Sequence, residues 1–188
     1  MSENFIIHIE KLSIAYGNNL ILSDISADIP KDKITVILGT SGCGKTTLLK
    51  GILRLIPAKA KSLTILNEEI LTLDEKDYNK LLKQTGILFQ NGALLNSISI
   101  YDNVSIPLEQ HTKLNLGLIR EIAAAKLSLV GLEDAGFKLP SELSGGMKKR
   151  AGLARAMALD PKILFCDEPG AGLDPVTALK LDELILRL

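Results

Sequence analysis

The sequence is poor in aromatic side chains and has no excess of either charge. It contains three tyrosines, four phenylalanines and no tryptophan, and its 22 Lys and Arg residues are balanced by 22 Asp and Glu residues. Most nucleic-acid-binding proteins carry a broad positive surface, and those that bind single strands stack bases on aromatic rings. We therefore expect no nucleic acid among the partners of this chain.

Long apolar runs and targeting signals are also missing. The longest stretch without a charge, residues 84–101, is broken by glutamine, asparagine, glycine and serine, so it does not form a bilayer-spanning helix of ~20 apolar residues. Residues 1–4 show no basic segment leading into an apolar run, so no secretory signal is visible. In such a chain the two cysteines, Cys43 and Cys166, are predicted to be reduced thiols. These features predict a cytoplasmic protein.

A length of 188 residues and 46% hydrophobic residues predict one folded α/β domain. Two segments with a loose alternation of apolar residues, 5–14 and 21–29, predict antiparallel strands. A β-branched run over residues 33–38 predicts a strand before a glycine loop. Two further short apolar runs, 85–89 and 163–166, predict buried parallel strands.

Helical spacing follows the glycine loop and dominates the middle of the sequence. It predicts a helix over residues 46–55 and an amphipathic helix over 119–130. The domain is accordingly predicted to have a core formed by residues 1–90 and 144–188, with a helical subdomain at about 91–143.

One loop matches a phosphate-binding motif. Residues 39–46 fit G-x-x-x-x-G-K-[ST] between a predicted strand and a predicted helix. Its glycines let backbone N–H groups face phosphate oxygens, Lys45 would neutralise the β and γ phosphates, and Thr46 offers a hydroxyl to Mg²⁺. The candidate nucleotide-binding residues of this loop are Gly39, Thr40, Ser41, Gly42, Cys43, Gly44, Lys45, Thr46 and Thr47.

Two adjacent carboxylates end the predicted strand at residues 163–166. Ligands of parallel α/β sheets bind at the carboxyl ends of the strands. Asp167 is therefore a candidate to hold Mg²⁺ through water, and Glu168 is a candidate to orient or deprotonate an attacking water. Alone, the pair would favour a solvated strand end, but next to a phosphate loop it predicts phosphoryl transfer.

A second predicted helix also begins with residues that suit anion binding, and this helix start completes a resemblance to a known family. Ser144, Gly145 and Gly146 precede a helix predicted to run to about residue 159, and Ser144 follows Lys45 by 99 positions. Together these motifs resemble the ATP-binding cassette (ABC) ATPases. The resemblance implies a P-loop NTPase fold with a RecA-like parallel sheet, N-terminal antiparallel strands and a helical subdomain. It also implies an ATP-dependent homodimer. In that dimer residues 144–146, the signature motif of the family, close over ATP that is held by the phosphate loop of the other subunit.

The resemblance assigns roles to three more residues. Tyr16 matches the aromatic that stacks on adenine, Gln90 matches the glutamine that touches Mg²⁺ and water and senses the transporter, and Asp174 matches the residue that communicates across the dimer. Each has an ordinary alternative: packing in a turn for Tyr16, a strand end for Gln90, and a helix N-cap before Pro175 for Asp174.

One expected residue is missing from the sequence. The resemblance implies a switch histidine after a further helix and strand, but residues 175–188 have room for one helix, and neither His8 nor His111 follows such elements. We therefore expect the chain to stop before the last core strand and to be weakly active or inactive by itself.

Residues around the signature narrow the resemblance further. Met147 stands where many importer cassettes have glutamine. Together with residues 89–95 and 103–108, it makes the chain similar to the ATPases paired with MCE proteins in phospholipid transport, whose related members move sterols or toluene-like solvents. That similarity implies an integral membrane permease and an MCE-type lipid-binding protein as partners, and a location on the inner face of the inner membrane. The alternatives are the cassette of another importer, an ATPase of chromosome maintenance or repair, a translation-factor cassette and a regulatory nucleotide-binding module.

Overall fold

The chain divides into two units in this computed structural model, which describes residues 4–17 and 19–188. The first unit is Met1–Leu81 and the second is Leu82–Leu188. The sequence-based division into a core and a helical subdomain stays a prediction. Elements beginning in the first unit are β1 (Phe5–Tyr16), β2 (Asn19–Pro30), α1 (Lys45–Ile52), β3 (Ser62–Ile65), β4 (Glu68–Glu69) and α2 (Glu75–Leu82). Those of the second are β5 (Thr85–Leu88), α3 (Ile100–His111), α4 (Leu116–Leu129), α5 (Gly145–Ala156), β6 (Ile163–Cys166) and α6 (Pro175–Arg187), with 3₁₀ turns at Glu133–Ala135 and Pro140–Glu142.

The first unit is built on an antiparallel sheet with the order β2-β1-β3-β4. Alternate residues of β1 are buried, and the alternation shifts by one position between Ile9 and Leu12. Lys11, which has a positive φ of 53°, lies at this irregularity in the pairing with β2. A bulge adds one residue to a strand and resets which face the side chains occupy. The predicted antiparallel strands are confirmed, and the bulge explains why their alternation is loose.

The strand predicted over residues 33–38 is wrong for this structure. The segment joins no sheet within residues 4–17 and 19–188. Its apolar side chains are exposed, with Val36 at 69% and Leu38 at 88% of their full accessible surface. A β-branched run favours extended backbone, but a strand forms only where a second strand offers a hydrogen-bonded ladder.

The second unit contains the predicted parallel pair. Strands β5 and β6 run in the same direction, with Thr85 opposite Ile163 and Leu88 opposite Cys166. Their prediction is confirmed, except that every residue of β6 is only partly buried. The reason is that, among the described residues, β6 pairs with β5 alone, so its other edge has no strand beside it.

Helices pack around this parallel pair to form the core of the second unit. The amphipathic segment predicted at residues 119–130 coincides with α4 as far as Leu129, with Val130 at the C-cap, and Ile119, Ala123 and Leu127 of the helix are buried. Burial of these positions, spaced by four residues, against α3 and α5 holds α4 in place. The largest fully buried side chains of the unit are Leu88, Ile100, Val104, Leu127, Leu153 and Leu181.

Candidate nucleotide-binding site

The predicted phosphate loop leads directly into the first turn of α1. Gly44 occupies the N-cap position with φ of 100°, and Gly42 has φ of 79°. Both conformations favour glycine, and a Cβ on Gly44 would lie 2.9 Å from a Leu22 methyl group. Gly44 has no side chain to cap the helix, and the backbone N–H groups of a helix start form a suitable receptor for an anion.

Lys45 connects the end of the phosphate loop to its beginning. Its Nζ donates hydrogen bonds to the carbonyl oxygens of Gly39 and Thr40, at 3.1 Å each. A Cβ on Gly39 would overlap the sulfur of Cys43, so this position also needs glycine. The ammonium is therefore held over the loop beside the start of α1, where the predicted role of Lys45 requires a positive charge.

The second unit brings Gln90 and Glu168 together. Gln90 follows β5, Glu168 follows β6 after Asp167, and Gln90 Nε2 donates a hydrogen bond to Glu168 Oε2 over 3.1 Å. The two residues meet because the carboxyl ends of neighbouring parallel strands lie at one edge of the sheet. Glu168 has a positive φ of 45°, which is uncommon for a residue with a side chain. Asp167 is 6% exposed, and its backbone N–H donates to the carbonyl oxygen of Leu88 at 2.9 Å.

Lys149 is a buried charge beside these carboxylates that sequence reasoning missed. It lies on α5, is 5% exposed, and its Nζ donates to the backbone carbonyl oxygen of Glu168 at 3.3 Å. Burial lowers the pKa of Lys149, while the negative charges of Asp167 and Glu168 act in the opposite direction. No spacing rule could have identified it, because Lys148 and Arg150 beside it are equally basic.

Ser144 and Asp174 both cap helices. Ser144 Oγ accepts a hydrogen bond from the backbone N–H of Met147 at 3.3 Å, and Asp174 Oδ1 accepts one from that of Thr177 at 3.0 Å. The bonds with Thr177 lower the pKa of Asp174. The N-cap interpretation of Asp174 is thus confirmed, and the roles of Ser144 and Asp174 in a dimer stay predictions. A Cβ on Gly146 would overlap the Thr177 side chain, so the starts of α5 and α6 lie in contact.

The remaining predicted residues supply chemistry that suits a nucleotide base or Mg²⁺. Tyr16 ends β1 opposite Asn19 and is 51% exposed, so its ring is available for stacking. Thr46, Gln90 and Asp167 each offer an oxygen, the ligand type that Mg²⁺ prefers. In residues 4–17 and 19–188 there is no group of three or more His, Cys, Asp or Glu that could hold a metal.

Comparison with known proteins identifies the family. The profile described as ABC transporter matches residues 22–171. The chain belongs to the ABC transporter family. Its P-loop NTPase fold is shared with the CbiO1 subunit of the ABC transporter complex CbiONQ from Clostridium perfringens, at a TM-score of 0.87 and 31% identity, covering 98% of this chain and 74% of that one. A second match is a dimeric ATP-binding cassette in a post-hydrolysis state with ADP and Pi, at a TM-score of 0.86 and 27% identity, covering 97% and 82%.

Two curated members of the ABC transporter family are more similar in sequence. The "Probable ribonucleotide transport ATP-binding protein mkl" of Mycobacterium leprae is 43% identical over 180 residues, which cover 96% of this chain and 52% of that protein. The "Intermembrane phospholipid transport system ATP-binding protein MlaF" of Haemophilus influenzae is 42% identical over 188 residues, covering 100% and 71%. The chain thus spans about half the length of the mkl relative. Across the part of this ABC family member that the structure describes, no helix is long and apolar enough to cross a membrane.

The two cysteines of this ABC cassette are predicted to differ in reactivity. Both are free, as the sequence predicted, but Cys43 is exposed in the phosphate loop. Burial raises the pKa of the Cys166 thiol to about 11, so Cys166 stays protonated and unreactive at neutral pH. We expect a maleimide to modify Cys43 first, and saturating MgATP to slow that modification. Mass spectrometry of peptides containing each cysteine measures both rates, and a Cys43 rate unchanged by MgATP would contradict nucleotide binding at the loop.

Proposed function

We propose that this chain is the part of an ABC transporter that binds and hydrolyses ATP. The observation that carries the proposal is the hydrogen bond between Gln90 and Glu168 at the carboxyl ends of two parallel strands. It holds a carboxylate next to an amide at the edge where parallel sheets bind ligands. The same chain has a glycine loop that leads into α1, with Lys45 at the first position of the helix, which is a suitable receptor for the phosphates of a nucleotide.

Each predicted residue has a defined task in this reaction. Lys45 and the first backbone N–H groups of α1 bind the β and γ phosphates, while Tyr16 stacks on adenine. Glu168, oriented by Gln90, accepts the proton of the attacking water. Thr46, Gln90 and Asp167 are the proposed oxygen donors for Mg²⁺, which would neutralise charge on the transferred phosphoryl group when bound. The segment of Ser144, Gly145 and Gly146, together with Asp174, acts on the nucleotide of a second copy.

Binding and turnover of the full-length protein test this function. Calorimetry should show MgATP binding, and phosphate release should rise more steeply than in proportion to protein concentration, because two copies complete each site. Tryptic fingerprinting before and after the assay verifies that the protein stays intact. Absence of both binding and phosphate release would overturn the proposal, whereas binding alone would reduce the chain to a regulatory nucleotide-binding module.

Phospholipid is the proposed cargo of the complete transporter. The support is the similarity to MlaF, whose name describes intermembrane phospholipid transport and of which the chain covers 71%. An integral permease and an MCE-type lipid-binding protein are the proposed partners, with this subunit at the inner face of the inner membrane. The name of the mkl relative favours ribonucleotide as a second cargo. Transport assays with labelled phospholipid and labelled ribonucleotide, each with the same permease, distinguish the two.

The segment after Gln90 is the proposed surface for the permease. Asn103 is fully buried and clamps this segment: its Oδ1 accepts from the Leu95 N–H at 2.8 Å, and its Nδ2 donates to the Leu95 carbonyl at 3.1 Å. The Leu95 side chain is nevertheless 51% exposed. A fixed backbone with an exposed apolar side chain suits the docking of a partner helix.

Leu95→Glu is therefore expected to uncouple transport from ATP binding. A charge on the docking surface would have to be desolvated against the permease, so we expect transport in reconstituted vesicles to fall about tenfold or more. ATP affinity should stay unchanged. The matched control is Leu129→Glu, because Leu129 on α4 is similarly exposed at 53%. Equal transport by the two variants would exclude Leu95 from the docking surface.

A further inference from the structure

Arg155 attaches the turn that carries Gln90 to helix α5. Its Nη1 donates to the carbonyl oxygen of Ala93 at 2.7 Å, and its Nη2 donates to that of Gly92 at 2.9 Å. Burial lowers the pKa of Arg155, yet the guanidinium keeps its charge because even a lowered arginine pKa lies far above neutrality. Two charge-assisted bonds from one rigid group fix both the position and the orientation of the turn.

The turn that carries Gln90 has a backbone conformation that needs the hydrogen bonds from Arg155. Gly92 and Ala93 both have positive φ, of 72° and 50°, and the Gly92 N–H donates to the carbonyl oxygen of Phe89 at 2.8 Å. The turn lies directly on α5, since a Cβ on Gly152 would be 2.9 Å from Gly92 Cα. A left-handed alanine is unfavourable by itself and persists only where the surrounding contacts enforce it.

Lys149 attaches the turn that carries Glu168 to helix α5. It lies on α5 two positions before Ala151 in the buried part of the helix, and its Nζ donates to the backbone carbonyl oxygen of Glu168 at 3.3 Å. Glu168 is the second non-glycine residue in these turns with positive φ. Lys149 and Arg155 are six residues apart, which places them ~120° apart around the axis of α5, so each reaches a different turn.

We propose that Lys149 and Arg155 are positioning residues of ATP hydrolysis, which hold the Gln90 and Glu168 turns on α5 so that the two side chains meet. The inference rests on the proposed function. Through these hydrogen bonds, α5, the helix that begins at Ser144, is connected to both turns. A nucleotide that contacts the start of α5 therefore also affects the positions of Gln90 and Glu168. Neither Lys149 nor Arg155 touches the reacting atoms.

Arg155→Met and Lys149→Met in the full-length protein test the proposal. A displacement of about 1 Å can cost on the order of a hundredfold, so we expect kcat to fall about ten- to hundredfold. The KM for ATP should change by less than about threefold, because the phosphate loop is untouched. The conservative variants Arg155→Lys and Lys149→Arg should recover part of kcat, since each keeps a cationic donor, and they remain available if the methionine variants do not fold.

Arg150→Met is the matched control. Arg150 lies on the same helix and also donates to backbone carbonyls, those of Val130 at 3.2 Å and Gly131 at 3.4 Å, which belong to the end of α4 and its following turn. Its loss removes the same kind of contact without touching the Gln90 or Glu168 turn. We expect its kcat to stay within about twofold of the wild-type value.

Hydrogen exchange separates failure of this inference from failure of the proposed function. Backbone amides of residues 90–95 should exchange faster in Arg155→Met, and those of residues 167–170 in Lys149→Met, while Arg150→Met leaves both segments unchanged. A wild-type protein without ATPase activity would overturn the proposed function, and the exchange result would still decide whether the two residues hold the turns. Unchanged exchange, or a kcat equal to that of Arg150→Met, would overturn the inference.

Discussion

Glu168→Gln in the full-length protein is expected to lower kcat for ATP hydrolysis by about a thousandfold, within the range that a general base contributes. The substituted amide keeps the shape of the side chain and can still accept the hydrogen bond from Gln90 Nε2. It cannot take a proton from water at neutral pH. ATP affinity should therefore be retained, and bound ATP should accumulate between two copies. Phosphate release measures the loss, and size-exclusion chromatography with MgATP measures the dimer.

Glu183→Gln provides the control for this substitution. Glu183 is an exposed carboxylate on α6 in the same unit, so the variant has the same change of charge without a change at the β6 edge. We expect wild-type turnover and no ATP-trapped dimer. Hydrolysis by Glu168→Gln at a rate close to that of Glu183→Gln would remove Glu168 from the role of base.

Structural elements that have a sequence pattern of their own could be predicted from the sequence. The parallel pair β5 and β6 follows from two short apolar runs, and the meeting of Gln90 with Glu168 follows from their places just after those strands. The loop before α1 follows from its glycines, two of which have the positive φ that the motif needs. In each case the signal lies within a few residues of the feature it predicts.

Features that depend on distant partners were not predictable in this way. The run at residues 33–38 has strand composition but no strand beside it among the described residues, and pairing of strands is a non-local property. Lys149 and Arg155 act on backbone carbonyls of residues 19 and 62 or more positions away. A backbone carbonyl has no sequence signature, so only the fold reveals such contacts.

Lys45→Ala is expected to weaken MgATP binding by about a hundredfold, because a hydrogen bond to a charged group contributes roughly 1.5–3 kcal/mol and Lys45 supplies more than one. The substitution removes the ammonium and also its bonds to the carbonyl oxygens of Gly39 and Thr40, which hold the loop closed. Both effects act in the same direction. Isothermal titration calorimetry on the full-length protein measures the change in Kd.

Lys50→Ala distinguishes a local effect from a general loss of positive charge. Lys50 lies in the last turn of the same helix, where it is remote from the loop along α1, so its removal lowers the net charge equally but leaves the phosphate receptor intact. We expect its Kd for MgATP to match that of the wild type. If both lysine variants lost affinity to the same extent, the helix as a charged surface would be responsible. If neither did, the phosphates would have to bind elsewhere, and the assignment of residues 39–47 as the nucleotide loop would be wrong.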